Sequence, residues 1–546
     1  MSDATSADVV IAGSGIVGCL LAEQLLDAGL SVLMLEAGPH VERGRIIENY
    51  RNKTPMAKFS DPDGPFPPAP WALHPSKYSG DPDKDYLLTT GPDARAYNQT
   101  YVRYLGGSTW HWGGVLWRMT PEDMMLKSRF GVARDWPFEY SELEPYYARA
   151  EGAVGAAGPS DPADQWPSIR STPYMMEAFP FAYSQQQCVQ AAKSIGLRYI
   201  PCAQARNNNT AFQGRPPCSG NNNCQPVCPI GARYDAYGAI PRIQAKGGAV
   251  LVNAVVYRIE TNERNTVQAL HYFKPDKSSV RVTGKTFVIA CNGIETPKLL
   301  LLSKNDKNPN GIANRSDQVG RNMMDTPKVL VLGQFKDPIW TGVGPVSTGA
   351  IMSTTQGEFR SQYAGGQIML ANLSTAGPAG LKALKQRLVG RALDEAIRRE
   401  TGCSGLFSIE HEVLPDPSNR LTLSDKKDVL GINKPTVHYD VGDYTRKGAD
   451  LNTVPITKKL ASALGAVKVD RIPGFLPSQH IMGGAVMGKD ASTSVVDVEC
   501  RAHDHPNLFL PGGAAMPTST AGNSTLTMAA LALKAGDAII AQTKRG

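Results

Sequence analysis

From Asp8 to Pro39 the chain runs DVVIAGSGIVGCLLAEQLLDAGLSVLMLEAGP, and this stretch fixes more of the fold than any other. Val9, Val10, Ile11 and Ala12 form a short apolar run suited to a buried strand. Gly13, Gly15 and Gly18 follow at G-x-G-x-x-G spacing, a helical pattern covers Cys19 to Leu26 and stops at Gly29, and a second apolar strand, Ser31 to Leu35, ends on Glu36. In such a β-α-β unit the first glycine makes the tight turn, the second lets backbone approach a pyrophosphate, and the third lets helix and strand pack closely. The helix N-terminus offers unpaired N–H groups to the phosphates, and Glu36 stands where a ribose hydroxyl would be held. The pattern predicts a dinucleotide site and leaves NAD and FAD both open.

The 546 residues are enough for two or more domains. With 42% hydrophobic and 20% charged residues the chain has the composition of an ordinary globular protein, and 53 glycines with 40 prolines exclude a helical bundle. A net charge of +7 without any basic run argues against a nucleic-acid partner. No apolar run approaches the roughly 20 residues that span a bilayer. Met1-Ser2-Asp3-Ala4 shows neither signal-peptide regions nor a twin arginine, so the expectation is a cytoplasmic protein or one exported with another subunit.

Residues 40–100, with Asp61-Pro62-Asp63-Gly64-Pro65, predict an extended excursion. Leu105-Gly106-Gly107-Ser108-Thr109 provides paired glycines beside small hydroxyls, allowing backbone to lie flat against a planar ligand. Residues 120–170 predict acid-capped helix followed by loop. Val282 to Cys291 predicts a strand entering the Asn292-Gly293-Ile294-Glu295-Thr296-Pro297 turn and then a helix, Lys298 to Ser303. Alternation in 328–375 and 405–440 predicts a separate antiparallel sheet. Leu381 to Arg399 predicts one basic amphipathic helix, Val495-Val496-Asp497 a strand, and Leu526 to Ile540 a closing helix.

Three of the nine cysteines, Cys218, Cys224 and Cys228, fall in PPCSGNNNCQPVCPIGA, a C-x5-C-x3-C loop. An odd number does not pair off in disulfides, and no nearby histidine completes a zinc tetrahedron. Three thiolates followed by proline fit an iron–sulfur cluster. No C-x-x-C-H haem attachment motif is present.

Taken together, Gly13-x-Gly15-x-x-Gly18 with Glu36, Gly106-Gly107-Ser108-Thr109, Asn292-Gly293-Ile294-Glu295-Thr296-Pro297, the stretch around His480, and Asn507-Leu508-Phe509-Leu510 through Met516-Pro517 to Asn523 resemble the glucose-methanol-choline (GMC) flavoprotein oxidoreductases. Trp110-His111-Trp112, Gly220-Asn221-Asn222-Asn223-Cys224 and His411-Glu412-Val413-Leu414-Pro415-Asp416-Pro417 are most similar to the large subunits of bacterial membrane-bound sugar, polyol and sugar-acid dehydrogenases, the fructose type above all.

The resemblance implies FAD and a mixed α/β fold. A Rossmann-type FAD-binding domain would be assembled from residues 1–45, 95–120, 200–330 and 470–546, with the cysteine loop at 214–232. A substrate domain on an antiparallel sheet would take 46–94, 121–199 and 331–469. Gly13, Gly15, Gly18, Glu36, Gly106, Gly107, Ser108, Thr109, Asn292, Gly513 and Met516 fall at flavin-binding positions. His480 and Asn523 fall at the family's pair over the flavin, where imidazole takes a hydroxyl proton and an amide orients the oxygen. Cys218, Cys224 and Cys228 fall on a loop that holds a [3Fe–4S] cluster in the resembling dehydrogenases; a [4Fe–4S] cluster with a different fourth ligand stays open. Where the family usually has histidine after Asp325, this chain has Thr326. The implied activity is oxidation of a secondary hydroxyl of a sugar, polyol or aldonate. The implied partners are a small chaperone-like subunit carrying an export signal and a multihaem cytochrome c, which would place the chain in the periplasm, peripheral on the inner membrane. An oxygen-using sugar oxidase and a non-catalytic electron-transfer subunit are the alternatives, and an NAD enzyme has only the opening unit in its favour.

Overall fold

Val9, Val10 and Ile11 are wholly buried in the computed structural model, which describes residues 5–53, 64–75, 79–164 and 169–545. Met1-Ser2-Asp3-Ala4 and Asp61-Pro62-Asp63 lie outside the described residues. The opening strand Ser6–Ala12 pairs in parallel with Val32–Leu35 on one side and with the second half of Ser279–Ile289 on the other. Ala249–Leu251 and the short Leu508–Phe509 extend this parallel core. The first half of Ser279–Ile289 pairs antiparallel with Val267–Phe273, which pairs with Val255–Thr261, giving a seven-stranded sheet. Parallel strands covered on both faces read as unbroken apolar runs, as 9–12 and 32–35 do. Helix Ile16–Asp27 packs against the closing helix Thr525–Arg545, which in turn packs on Tyr140–Val154. Gln24 Nε2 ties the first pair together by donating to the Leu533 carbonyl and to Asp537.

A second sheet is wholly antiparallel, in the order Gly366–Ala371, Ser404–His411, Lys328–Phe335, Ala466–Arg471. Strand side chains alternate between faces, and here the alternation divides the labour. Val329, Val331, Ile368, Leu370, Phe407 and Ile409 are fully buried in an apolar core. Lys328, Leu330, Met369, Ala371, Leu406, Ser408 and Glu410 point the other way, into a cavity.

Several sequence expectations are corrected. The expected helix 381–399 is two helices, Ala376–Lys385 and Gly390–Gly402, because Arg387 and Gly390 take left-handed backbone (φ +59° and +57°) and fold the segment into a hairpin. The region 405–440 does not form one sheet. Arg420–Lys427 and Asn433–His438 make a hairpin that joins Leu88–Thr90, and the fourth strand of the larger sheet comes from 466–471 instead. Val495-Val496-Asp497 makes only isolated bridges at Val496. Within 40–100, helix Arg43–Asn52 interrupts the expected extended run.

Candidate active site

A cavity of about 810 Å³ runs between the two sheets. Its wall includes Gly13, Gly15, Glu36, Gly107, Ser108, Thr109, Asn292, Gly513, His480 and Asn523. Gly13 has φ +103°, and a Cβ there would lie 2.7 Å from the Ala290 carbonyl oxygen, so only glycine makes this turn. At Gly15 an added Cβ would meet no protein atom within 4 Å, which leaves the backbone open to the cavity beside an uncapped helix N-terminus. Gly18, Gly106 and Met516 do not reach the wall. Gly18 serves packing, since its Cβ would sit 2.1 Å from the Gly13 carbonyl oxygen; Met516 is buried in the core, and Met528 faces the cavity nearby.

Ser14, which the motif leaves unspecified, joins the two ligand-facing turns. Its hydroxyl donates to Glu36 Oε2 at 2.5 Å and accepts the Gly106 amide at 3.0 Å. Burial pushes the Glu36 carboxyl up, opposed by the Ser14 hydroxyl and by the amides of Gly38 and Ser14. Asn292 Oδ1 accepts from the amides of Ile294 and Glu295, starting the next helix at the cavity edge. Beside it lies a buried polar knot. Glu295 accepts from the hydroxyls of Tyr86 (2.7 Å) and Tyr101 (2.5 Å), with Lys298 3.4 Å away. Burial alone would raise the Glu295 carboxyl, but Lys298, Arg103 and the two tyrosines hold it at about 2.

His480 is held at both ring nitrogens. Asn523 Nδ2 lies 2.9 Å from Nε2, and Thr326 Oγ1 lies 2.5 Å from Nδ1. With the amide nitrogen toward the ring, Nε2 is the acceptor and Nδ1 carries the proton, given to Thr326. The backbone before the ring is strained, because Gln479 has φ +69°. Asp325 holds that strain in place. Fully buried, it accepts from the amides of Thr326, Ser478, Gln479 and His480 and from Gln99 Nε2. Sequence reasoning missed Asp325 because four of its five partners lie more than 150 residues away.

The antiparallel sheet gives the same cavity a polar wall. Lys328 and Glu410 are direct cross-strand partners, with Ser408 opposite Leu330, and Gln367 Nε2 donates to Glu410 at 2.6 Å. Glu412, from the His411-Glu412-Val413 stretch, turns away from the cavity. It is buried with Arg360, which also meets Asp123 at 2.8 Å, and its role is structural. His411 is likewise structural, held between the Pro327 carbonyl and Thr453, with burial pushing its imidazole down to about 4.

The cysteine loop adjoins the cavity, since Gln225 and Pro226, which follow Cys224, form part of the wall. Cys224 and Cys228 are buried and Cys218 is half-buried. Among the described residues no three His, Cys, Asp or Glu side chains converge as ligands of a single metal ion. Two arginines lie against the loop instead. Arg206 donates to Cys224 Sγ at 3.0 Å and to the Gly113 carbonyl at 3.1 Å. Arg233 donates to the carbonyls of Thr109, Trp110, Trp112 and Cys224. Burial pushes the Arg233 guanidinium down to about 10.

Residues 7–328 match the N-terminal region of the GMC oxidoreductases and residues 415–532 the C-terminal region. The chain belongs to the GMC oxidoreductase family. It is 48% identical to the fructose dehydrogenase large subunit of Gluconobacter japonicus, over 100% of both chains. It is 28% identical to the 6'''-hydroxyparomomycin C oxidase of Streptomyces lividus, over 97% of this chain and 91% of that one. The pyridoxine 4-oxidase structure from Mesorbium loti shares the fold, with a TM-score of 0.65 and 16% identity over 99% of both chains. As a GMC oxidoreductase the protein is an FAD-dependent enzyme. The open backbone at Gly15, the uncapped helix end and the cavity of about 810 Å³ fit that cofactor. Among the described residues no helix of this GMC chain is long and apolar enough to cross a membrane.

Proposed function

We propose that this enzyme oxidises a secondary hydroxyl of a neutral sugar or polyol, of the fructose or sorbitol type. The observation that carries the proposal is His480, paired with Asn523 and held by Thr326, in a cavity whose sheet wall offers Lys328, Ser408 and Glu410. Similarity to a fructose dehydrogenase large subunit supports it.

FAD, when bound, supplies a two-electron hydride acceptor. The chain's own residues supply the rest. A substrate hydroxyl entering between Asn523 and His480 accepts from the amide Nδ2 and donates to Nε2. The imidazole takes the hydroxyl proton while the C–H hydrogen leaves with its electron pair, so the C–O bond becomes C=O. The Asn523 amide steadies the developing negative charge on oxygen, and Thr326 accepts from Nδ1–H to keep Nε2 the basic nitrogen. On the wall, a carboxylate accepts from vicinal hydroxyls and an ammonium donates to them. One charge of each sign suits an uncharged polyol better than an aldonate.

We further propose that Cys218, Cys224 and Cys228 hold an iron–sulfur cluster of the [3Fe–4S] type, a one-electron carrier. The donor set supports this, because thiolates are soft ligands and a cluster built on its own sulfides needs its thiols spaced wider than a single ion does. The position of Gln225 and Pro226 in the cavity wall supports exchange with the flavin site. Electrons would pass to a multihaem cytochrome c subunit. A small subunit would provide export, leaving the enzyme in the periplasm, peripheral on the inner membrane. That the relative is a large subunit supports assembly with partners.

Anaerobic flavin bleaching by fructose, sorbitol, glucose, gluconate and 2-ketogluconate tests the substrate. Bleaching by a neutral ketose or polyol, lost in His480→Ala with FAD retained, is expected; bleaching by aldonates alone defeats the reading. Iron analysis tests the cluster. An iron-free enzyme that turns over with peroxide production would be the oxidase.

A further inference from the structure

Arg206 is 1% exposed and Arg233 is wholly buried, and both lie beside the cysteine loop. Among the described residues neither has a carboxylate partner. Arg206 meets a thiol sulfur and one carbonyl, Arg233 meets four carbonyls, and Nε of each is buried without a hydrogen-bond partner. Buried arginines elsewhere in this protein are paired: Arg118 with Glu144 and Glu151, and Arg360 with Asp123 and Glu412. The carboxylate that acts on Arg233, Asp235, is already paired with Arg43 at 2.7 Å. Burying a cation without an ion-pair partner costs several kcal/mol, so two such cations side by side call for an anion between or beside them. Free thiols do not supply it, whereas iron-bound thiolates and sulfides do.

We infer that Arg206 and Arg233 are the counter-ions of an anionic cluster on Cys218, Cys224 and Cys228, and that Arg206 sets its reduction potential. The inference rests on the cluster proposed above. Reduction adds one electron and thus one negative charge to the cluster. A fixed cation in a low-dielectric site favours the reduced form and raises the potential. Arg206 is the stronger tuning residue, because it touches a ligand sulfur directly. Arg233 holds the ligand's backbone, joining the Cys224 carbonyl to those of Thr109 and Trp112, two residues of the cavity wall. The same two guanidinium groups therefore link the cluster loop to the flavin wall.

The test is iron content, FAD content and an EPR-monitored redox titration on purified holoenzyme, comparing the wild type with Arg206→Gln and Arg206→Lys. Arg206→Gln is expected to keep FAD and to shift the cluster's oxidised-to-reduced ratio at fixed potential by tenfold or more toward the oxidised form. Tenfold corresponds to a fall of about 59 mV for a one-electron couple. Arg206→Lys, which keeps the charge, should recover most of that shift. Loss of iron from Arg206→Gln but not from Arg206→Lys also supports a counter-ion. An unchanged midpoint in Arg206→Gln, or equal loss of iron from both variants with FAD retained, overturns the inference while the cluster assignment stands. A wild-type enzyme free of iron overturns the cluster itself and the inference with it.

Discussion

Thr326 Oγ1 lies 2.5 Å from His480 Nδ1, so the threonine at the family's usual histidine position braces the proposed base. Thr326 does not line the cavity, and any effect it has on chemistry passes through the imidazole. Thr326→Val should cost about 0.5–1.5 kcal/mol of transition-state stabilisation, roughly a 2- to 10-fold fall in flavin reduction rate. Thr326→Ser should recover it. Stopped-flow anaerobic reduction measures both, and an unchanged rate in the valine variant would refute the bracing role.

Asp325, itself fully buried, accepts from four backbone amides and one side-chain amide. Asp325→Asn turns an amide donor toward those donors and should cost about 2–3 kcal/mol of stability. Because Gln479 is held in left-handed backbone by these bonds, reduction rate should fall as well, although Asp325 is outside the cavity. Urea unfolding and flavin reduction, run on one preparation, separate the two losses. A variant as stable and as fast as wild type would show that the strained loop holds itself.

Glu410 faces the cavity and is steadied by Gln367. Glu410→Gln should raise KM for a neutral substrate about tenfold with a smaller change in kcat, the mark of binding shared by ground and transition states. It should also improve the relative use of gluconate, since a net positive wall remains. Steady-state kinetics with both substrates decide this; an unaltered KM would remove Glu410 from the binding wall.

Glu412 predicts the opposite pattern. Glu412→Gln breaks its buried pair with Arg360, and with Asp123 still present the cost should be about 3 kcal/mol. KM should not move. A large change in KM with unchanged thermal stability would place Glu412 at the substrate.

Four buried histidines set an acid limit, His505 among them, pushed down by burial. Burial pushes His74 and His411 down to about 4 and His111 to about 3. Below the unfolded value of 6.5 the unfolded chain binds protons that the folded chain refuses. Stability is therefore fully present above pH 6.5 and falls as the pH drops from there toward 4, by about 1.4 kcal/mol per pH unit for each histidine. Urea midpoints across that window should decline steeply, and a flat profile would mean that these rings are protonated in the fold.

The local parts of this architecture were legible because their causes are local. The turn at Gly13, the packing at Gly18 and the closing helix all follow from spacing within one segment. The broken helix was only half legible: Gly390 is a residue that takes left-handed backbone readily, but Arg387 carries no such mark, and the packing of the two resulting helices selects it. Met516 and Met528 are apolar in a similar context, and only the fold decides which one faces the cavity. Asp325, Arg206 and Arg233 were hidden for another reason. Their meaning lies in partners brought from distant segments, and a single buried charge has no signature in its own neighbourhood.

Along Lys328–Phe335 and Ser404–His411, neighbouring residues answer to different demands. Odd-numbered positions hold the apolar core, while even-numbered positions from 328 to 330 and from 406 to 410 face the cavity where we propose that substrate binds. Parity therefore insulates selectivity from stability. A lineage can exchange one sugar for another by walking the even positions, with little risk of unfolding at each step, and a library confined to those positions should yield folded enzymes far more often than one drawn from the odd ones.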